Sequence, residues 1–299
     1  SAGTQVADDL KQVWTSAAAQ SEVLYQRRQG LVKLLLVRGL DVGYDGVQVL
    51  FGVDFEVDEG EIVALLGTNG SGKSTLLKAI SGLVEASAGA VVFDGRDMTY
   101  APPHEVAARG ITQVPGGQGT FPTLTVRENL QLAGWLHRRE RDRVKTATEE
   151  VLDIFPVLRE RLDEPAGNLS GGMKQRVGIA RAFSIQPKML LLDEPFGALD
   201  ALTRGSIQDE LMQIVRETQQ TVFMITHDVD EAILLSDRIL LMSNGNETAQ
   251  GYVPGGIAEV VNNPLPRNRS RSQLHHLEGY YPLRNHVVDF LVNRARAGH

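Results

Sequence analysis

Eight residues constrain this chain more than any others: Gly67-Thr68-Asn69-Gly70-Ser71-Gly72-Lys73-Ser74 fit the pattern G-x-x-x-x-G-K-[ST]. They follow the apolar run Ile62-Val63-Ala64-Leu65-Leu66 and precede Thr75-Leu76-Leu77-Lys78-Ala79-Ile80. A continuous apolar run of this length suits a strand covered on both faces of a sheet, so the pattern predicts a buried strand, a tight turn and a helix. Glycines at the turn let successive N–H groups converge on phosphate oxygens, and the helix N-terminus adds its positive end. Lys73 supplies a point charge for the β- and γ-phosphates, and the Ser74 hydroxyl suits Mg²⁺. Gly67, Asn69, Gly70, Gly72, Lys73, Ser74 and Thr75 are therefore candidate ligands of a nucleotide, with Lys73 also in a catalytic role.

Two further apolar runs end in polar residues. Met189-Leu190-Leu191-Leu192 leads to Asp193-Glu194-Pro195, and Thr221-Val222-Phe223-Met224-Ile225 leads to Thr226-His227-Asp228. In open α/β sheets the site lies beyond the carboxyl ends of the strands, which makes these ends site candidates. Asp193 fits the carboxylate that holds Mg²⁺ in phosphoryl-transfer enzymes, and Glu194 beside it can orient and deprotonate the attacking water. His227 can donate a hydrogen bond to the γ-phosphate. The fold class expected is α/β, with a mainly parallel core sheet.

Composition narrows the partners. The net charge of −7 opposes a generally basic nucleic-acid binder, and no nucleic acid is expected. The absence of cysteine removes disulfides, thiolate metal sites and a cysteine nucleophile. No stretch approaches the roughly 18 consecutive apolar residues of a membrane span, and the start lacks the order of a secretory signal, so a soluble, cytoplasmic chain is expected. Residues 1–30 read as a tail or peripheral helix, with Val6, Leu10, Val13, Trp14 and Ala17 on one face. Residues 100–165 read as mostly helical, with Arg138 to Arg143 as a solvated face; from Pro264 an arginine-bearing tail ends in a helix opened by Pro282.

The block Leu169-Ser170-Gly171-Gly172-Met173-Lys174-Gln175 resembles the signature motif of ABC-transporter ATPases, and with the phosphate loop it places the chain among proteins similar to that family over about residues 32–245. A Ser-Gly-Gly turn opening a helix is a second anion site. The resemblance implies a P-loop NTPase fold of ABC type, with an antiparallel β part and a helical subdomain inserted at about 100–180. It sets an ATPase domain at 31–245 and a C-terminal extension at 246–299. It further implies that Ser170, Gly171 and Gly172 face ATP on a second ATPase subunit in a head-to-tail homo- or heterodimer. Tyr44, 23 residues before Gly67, matches the aromatic that stacks on adenine, and Asp200 belongs to the loop that crosses the dimer interface. The implied activity is Mg²⁺-dependent ATP hydrolysis that powers an importer of a small solute, an amino acid or an inorganic anion, through separate transmembrane permease subunits. The place implied is the inner face of the cell membrane.

The chain departs from the pattern at Gly116, where most members carry a glutamine; Gln113 and Gln118 flank it. If the missing glutamine matters, Gly116→Gln should improve Mg²⁺ affinity or coupling. The first part, with Phe121-Pro122-Thr123-Leu124-Thr125-Val126, resembles branched-chain amino acid importer ATPases, and the remainder resembles those of nitrate, cyanate and bicarbonate importers. A mosaic joined at about 160–170 is expected from this, with permease choice following the first part. Two rival classes are a soluble ABC ATPase acting on ribosomes or DNA, and a regulatory module without turnover. The single phosphate loop and the lack of a sustained heptad run oppose the first, and Glu194 with His227 the second.

Overall fold

The structure is a computed structural model that describes residues 2–297 except 45, 117, 118, 138, 139, 249, 250 and 254. Its internal contacts divide the chain into two units, Ser1–Pro103 with Ile225–His299, and His104–Met224.

The first unit opens with helix α1 (Ala2–Arg28), followed by the hairpin β1 (Lys33–Tyr44) and β2 (Val47–Asp58), strand β3 (Ile62–Gly67), helix α2 (Lys73–Ile80) and strands β4 (Ala88–Phe93) and β5 (Arg96–Asp97). β2, β1, β4 and β5 lie in that order in one antiparallel sheet. Two glycines with positive φ, Gly39 and Gly52, mark irregularities in the hairpin. Each donates its N–H to a carboxylate across the pair, Gly39 to Asp54 and Gly52 to Asp41, both at 2.6 Å. The kinked strands therefore keep their backbone donors satisfied.

α1 packs on this sheet. Ala19 and Val23 are buried with Leu36, Ala90 and Val92, a contribution of about 2 kcal/mol for the valine alone. The Gln12 amide donates to Gly89 O and accepts from Gly89 N–H, Ser16 donates to Asp97, and Arg27 pairs with Asp94 at 2.7 Å. This corrects the face expected from the sequence: Val13, Trp14 and Ala17 are exposed, Trp14 to 74%. The side chains of Val6 and Leu10 lie outside the described ones. Small side chains and polar bridges hold the helix, so its apolar recurrence points to the wrong stripe.

The second unit contains helix α3 (Pro103–Ala108), strand β6 (Ile111–Val114), helices α4 (Val126–Ala133), α5 (Arg141–Ile154) and α6 (Gly171–Phe183), strand β7 (Met189–Asp193), helix α7 (Ala201–Thr218) and strand β8 (Thr221–Ile225). β6 pairs with β7 in parallel, from Ile111↔Met189 to Val114↔Leu192, and β8 lies on the other side of β7. β6 interrupts a stretch expected to be helical, because four residues are too few for a periodicity to declare itself. The segment from Phe121 is shaped by the buried Asn129. Its amide donates to the carbonyls of Phe121, Leu124 and Thr125 at 3.0, 3.2 and 2.9 Å and accepts from Phe121 N–H at 2.8 Å. Thr125 and Glu128 close a capping box at the start of α4. In the charged stretch, Arg138 and Arg139 lie outside the described residues, and Arg143 pairs with Glu140 at the surface.

The chain returns to the first unit with α8 (Val229–Leu235), β9 (Arg238–Ser243), the short hairpin β10 (Asn246–Thr248) and β11 (Gly251–Val253), β12 (Gly256–Asn262) and α9 (Tyr280–Ala297). β9 runs parallel to β3 and antiparallel to β12. α9 begins two residues before Pro282, directly after Gly279 at φ +90°. Pro282 is tolerated there because first-turn N–H groups have no partner inside a helix.

A charged network ties β1 to β2 and to α1. Lys33 Nζ lies 2.6 Å from Glu56 and 2.8 Å from Asp58, and Arg38 Nη2 lies 2.6 Å from Glu22 and 3.1 Å from Glu56. Burial pushes the Glu56 carboxyl up, but hydrogen bonds and charge contacts with Lys33 and Arg38 outweigh it and leave Glu56 below its ordinary value. A carboxyl depressed in the folded chain stabilises it above the unfolded value of about 4.3 and loses that contribution as pH falls through the folded value. Glu56→Gln should therefore lower stability at neutral pH by roughly 1 kcal/mol, after allowance for solvent screening. It should also flatten the acid limb of thermal unfolding measured from pH 6 to 3; an unchanged limb would refute the linkage.

Candidate functional site

In the first unit, the buried strand β3 delivers its last residue, Gly67, against β9. A Cβ at Gly67 would lie 2.6 Å from Met242 O and 2.8 Å from Ser71 Oγ. The loop closes through Ser71 N–H donating to Thr68 O at 3.2 Å, and Gly72, the residue before α2, has φ +93°, where a Cβ would meet Leu50 Cδ2 at 2.6 Å. Gly72 has no side chain to cap the first turn of α2. The Lys73 ammonium is buried and donates to the carbonyls of Gly67 and Thr68 at 2.8 and 2.9 Å. Thr68 Oγ1 and Ser71 Oγ are buried hydroxyls without a protein partner. A cation over a loop of backbone amides and orphan hydroxyls, at an uncapped helix start, fits a phosphate group. Asn69, Gly70 and Ser74 are exposed around it, Thr75 is half-buried, and Asn244 donates to Asn69 O at 3.3 Å.

β2 passes close to this loop, as the approach of Val49 and Leu50 to Gly72 shows. Tyr44 pairs with Val47 at the turn end of the same hairpin and is 39% exposed, so its ring is available for stacking. His227 is exposed two residues after β8, and the N–H of its neighbour Thr226 donates to Leu65 O at 3.3 Å, two residues before Gly67. The structure thus gathers Tyr44, the phosphate loop and His227 within one unit.

In the second unit, Asp193 and Glu194 are half-buried at the end of β7. Glu194 has φ +46°, the left-handed region that costs a non-glycine residue of order 1 kcal/mol or more, a strain that collects at functional sites. Gly116, two residues beyond β6, lies beside the same strand end, and a Cβ there would stand 2.7 Å from Asp193 O. Glycine at this position is thus a packing requirement as well as a missing amide. Gln113 is half-buried within β6, and Gln118 lies outside the described residues.

The start of α6 separates the roles expected of Ser170, Gly171 and Gly172. Ser170 caps the helix, accepting from Met173 N–H at 3.3 Å, and both it and Gly171 are exposed. Gly172 is buried, and a Cβ there would meet Thr203 Cγ2 of α7 at 2.5 Å. Gly172 therefore serves the packing of α6 on α7, which Arg176 reinforces through Glu210 Oε2 at 2.7 Å and Oε1 at 2.5 Å. Asp200 caps α7 through the N–H groups of Leu202 and Thr203 at 3.2 and 3.0 Å. Hydrogen bonds from Thr203 above all hold its carboxyl below the ordinary value.

Sequence reading missed the network beside His227. Thr226 Oγ1 donates to Glu231, and Asp228 caps α8 through the N–H groups of Asp230 and Glu231 at 2.9 and 3.0 Å. The signal was present as Asp228-x-x-Glu231, a capping pattern.

The ABC transporter family model matches residues 50–197. The chain is 43% identical over 247 residues to the nitrate import ATP-binding protein of Synechococcus elongatus, covering 82% of this chain and 35% of that protein. It is 40% identical over 247 residues to a bicarbonate transport ATP-binding protein of Synechocystis sp., covering 82% of this chain and 83% of that protein. The chain spans about a third of the length of the first of these relatives. Among solved structures, the ADP conformation of an ATP-binding cassette of an ABC transporter has a TM-score of 0.69 at 25% identity, covering 88% of this chain and 98% of that one. An alignment of 247 residues out of 299 takes in residues 160–170 and much of what precedes them, so likeness to nitrate and bicarbonate proteins is not confined to the end of the chain. These comparisons mark no branched-chain amino acid half and no join.

The close approach at Gly116 changes what its substitution should do. Gly116→Gln should displace the end of β7 at a cost of roughly 1–3 kcal/mol, read as a Tm lower by several degrees; an unchanged Tm would contradict the contact. Gly172→Ala should destabilise by a similar amount. Thr203→Ser, which removes the methyl but keeps the hydroxyl, should restore most of that loss in the double variant.

Proposed function

The chain belongs to the ATP-binding family of ABC transporters, and from that membership we propose that it is the ATP-binding and ATP-hydrolysing subunit of an importer of a small solute. The relatives named for nitrate and bicarbonate favour an inorganic anion over an amino acid. The observation that carries the reading is the phosphate loop itself, with Lys73 buried over the carbonyls of Gly67 and Thr68 beside two partnerless hydroxyls. The cassette is taken to run over residues 31–245, followed by the extension 246–299.

In this reading the N–H groups of Asn69 to Thr75 and the Lys73 ammonium hold the β- and γ-phosphates, and Tyr44 stacks on the adenine. Glu194, turned by its left-handed backbone, orients the attacking water and accepts its proton, while His227 donates to the γ-phosphate as charge develops there. Ser74 and Asp193 offer the oxygen donors that Mg²⁺ prefers. Phosphate oxygens would complete the shell of such an ion. When bound, Mg²⁺ would neutralise phosphate charge.

The exposed Ser170 and Gly171, and Asp200 at the start of α7, are assigned to a second ATPase subunit bound head to tail. Among the described residues no helix is long and apolar enough to cross a membrane. By the family resemblance, coupling to transport is assigned to separate permease subunits, with the chain at the inner face of the cell membrane.

Glu194→Gln should retain ATP binding and lose hydrolysis by about 100-fold or more, since it removes the base and leaves the loop intact. Lys73→Ala should instead abolish nucleotide binding, read by fluorescence of a labelled ATP. Phosphate release from Glu194→Gln at the parental rate would overturn the role of Glu194, and a parental chain without turnover would overturn the reading as a whole.

A further inference from the structure

The C-terminal segment grips α8, the short helix that follows His227, at both ends. At its first turn, Asp230 Oδ1 accepts from Tyr280 OH at 2.7 Å and from Arg284 Nε at 2.8 Å. These two residues are one turn apart on α9, so both reach the same oxygen. Tyr280 is fully buried, with its ring edge-on to His275 and Tyr281 at centroid distances of 4.9 and 5.0 Å. At the other end of α8, the carbonyls of Ile233 and Ser236 each accept from the Asn263 amide at 2.8 Å, and each also from the buried Arg269. A helix of seven residues has little stability of its own, so contacts of this kind set its position.

From α8 the connection to His227 is direct. Asp228 caps the helix and its N–H donates to Thr226 Oγ1 at 3.1 Å, while that hydroxyl donates to Glu231 in the first turn. Both neighbours of His227 are thus bonded to the first turn of α8, Thr226 through its hydroxyl and Asp228 through its carboxylate, and Asp230, at the second position of α8, is what Tyr280 and Arg284 hold. Lys73 is held by the carbonyls of Gly67 and Thr68 in its own loop at the end of β3, the strand to whose Leu65 O the Thr226 N–H also donates.

Building on the hydrolytic reading above, we propose that Tyr280 and Arg284 are positioning residues for hydrolysis: through Asp230 and the first turn of α8 they hold His227 where it can reach the γ-phosphate. The Tyr280 hydroxyl, pushed up to about 12 mainly by burial and then by Asp230, remains a donor throughout the range in which the protein would work. The C-terminal extension then has a part in the rate of hydrolysis and none in nucleotide affinity.

The test uses the full chain, with Tyr280→Phe, Arg284→Gln and Arg284→Lys measured for ATP turnover, labelled-ATP binding and thermal unfolding. Tyr280→Phe keeps the ring and its packing, and Arg284 lies half-exposed, so both variants should fold. Tyr280→Phe and Arg284→Gln should each lower kcat by roughly 3- to 10-fold. KM and nucleotide Kd should stay within about twofold, and Arg284→Lys, which can still donate to Asp230, should recover most of the rate. In a His227→Ala background the same changes should add little, because they act through His227. Parental kcat in both variants, equal fractional losses with and without His227, or a Kd that shifts in step with kcat would each overturn the proposal. A parental chain that hydrolyses no ATP would overturn the functional reading and this inference with it, whereas turnover in the parent matched by both variants overturns the inference alone.

Discussion

The Lys73 ammonium, folded onto the carbonyls of Gly67 and Thr68, is the contact on which the phosphate loop depends. A buried cation must be paired or hydrogen-bonded, and here two carbonyls of its own loop accept from it. That arrangement requires the loop to be tight, which in turn requires β3 to end hard against β9 and β2 to pass over Gly72, just before α2. Gly67 and Gly72 make both approaches possible, one by lacking a side chain beside Met242, the other by accepting a left-handed backbone beside Leu50. Much of the first unit around the loop can be read as the frame that brings these strands to those distances.

A second constraint operates in the other unit, where glycines again decide the geometry but for packing. Gly116 lets the segment after β6 run beside the carbonyl of Asp193, and Gly172 lets α6 close on Thr203. Ser170 and Gly171, exposed at the same helix start, remain free of that duty. Within one three-residue turn, then, two positions face outward and one faces the neighbouring helix. A motif that reads as a single anion site in sequence is divided between two exposed positions and one that packs the unit.

The segments outside the nucleotide core are held by polar contacts as well as by buried side chains such as Val23, Leu274, Leu283 and Val287. α1 is fastened by Gln12, Ser16, Glu22 and Arg27, and the C-terminal segment by Asn263, Arg269, Tyr280 and Arg284. Directional bonds of this kind fix position more closely than burial does, since a hydrogen bond weakens steeply with angle and distance. This is why the C-terminal segment can be assigned a part in placing α8 when a greasy contact of the same extent could not.

By itself the sequence determined the phosphate loop from Gly67 to Ser74, the three buried strands that end at Gly67, Asp193 and Ile225, and the polar residues after them, because each rests on local spacing that backbone geometry reads directly. It also carried the family, through the turn at Ser170. Only the tertiary structure decided which face of α1 packs, since Ala19 and Val23 are weak apolar signals beside Trp14. The duty of Gly116 and Gly172, and the hold of Tyr280 and Arg284 on Asp230, were likewise settled there, since the partners stand about 30 to 80 residues away in the chain. Such pairings depend on which strands and helices become neighbours, and local spacing carries no record of that.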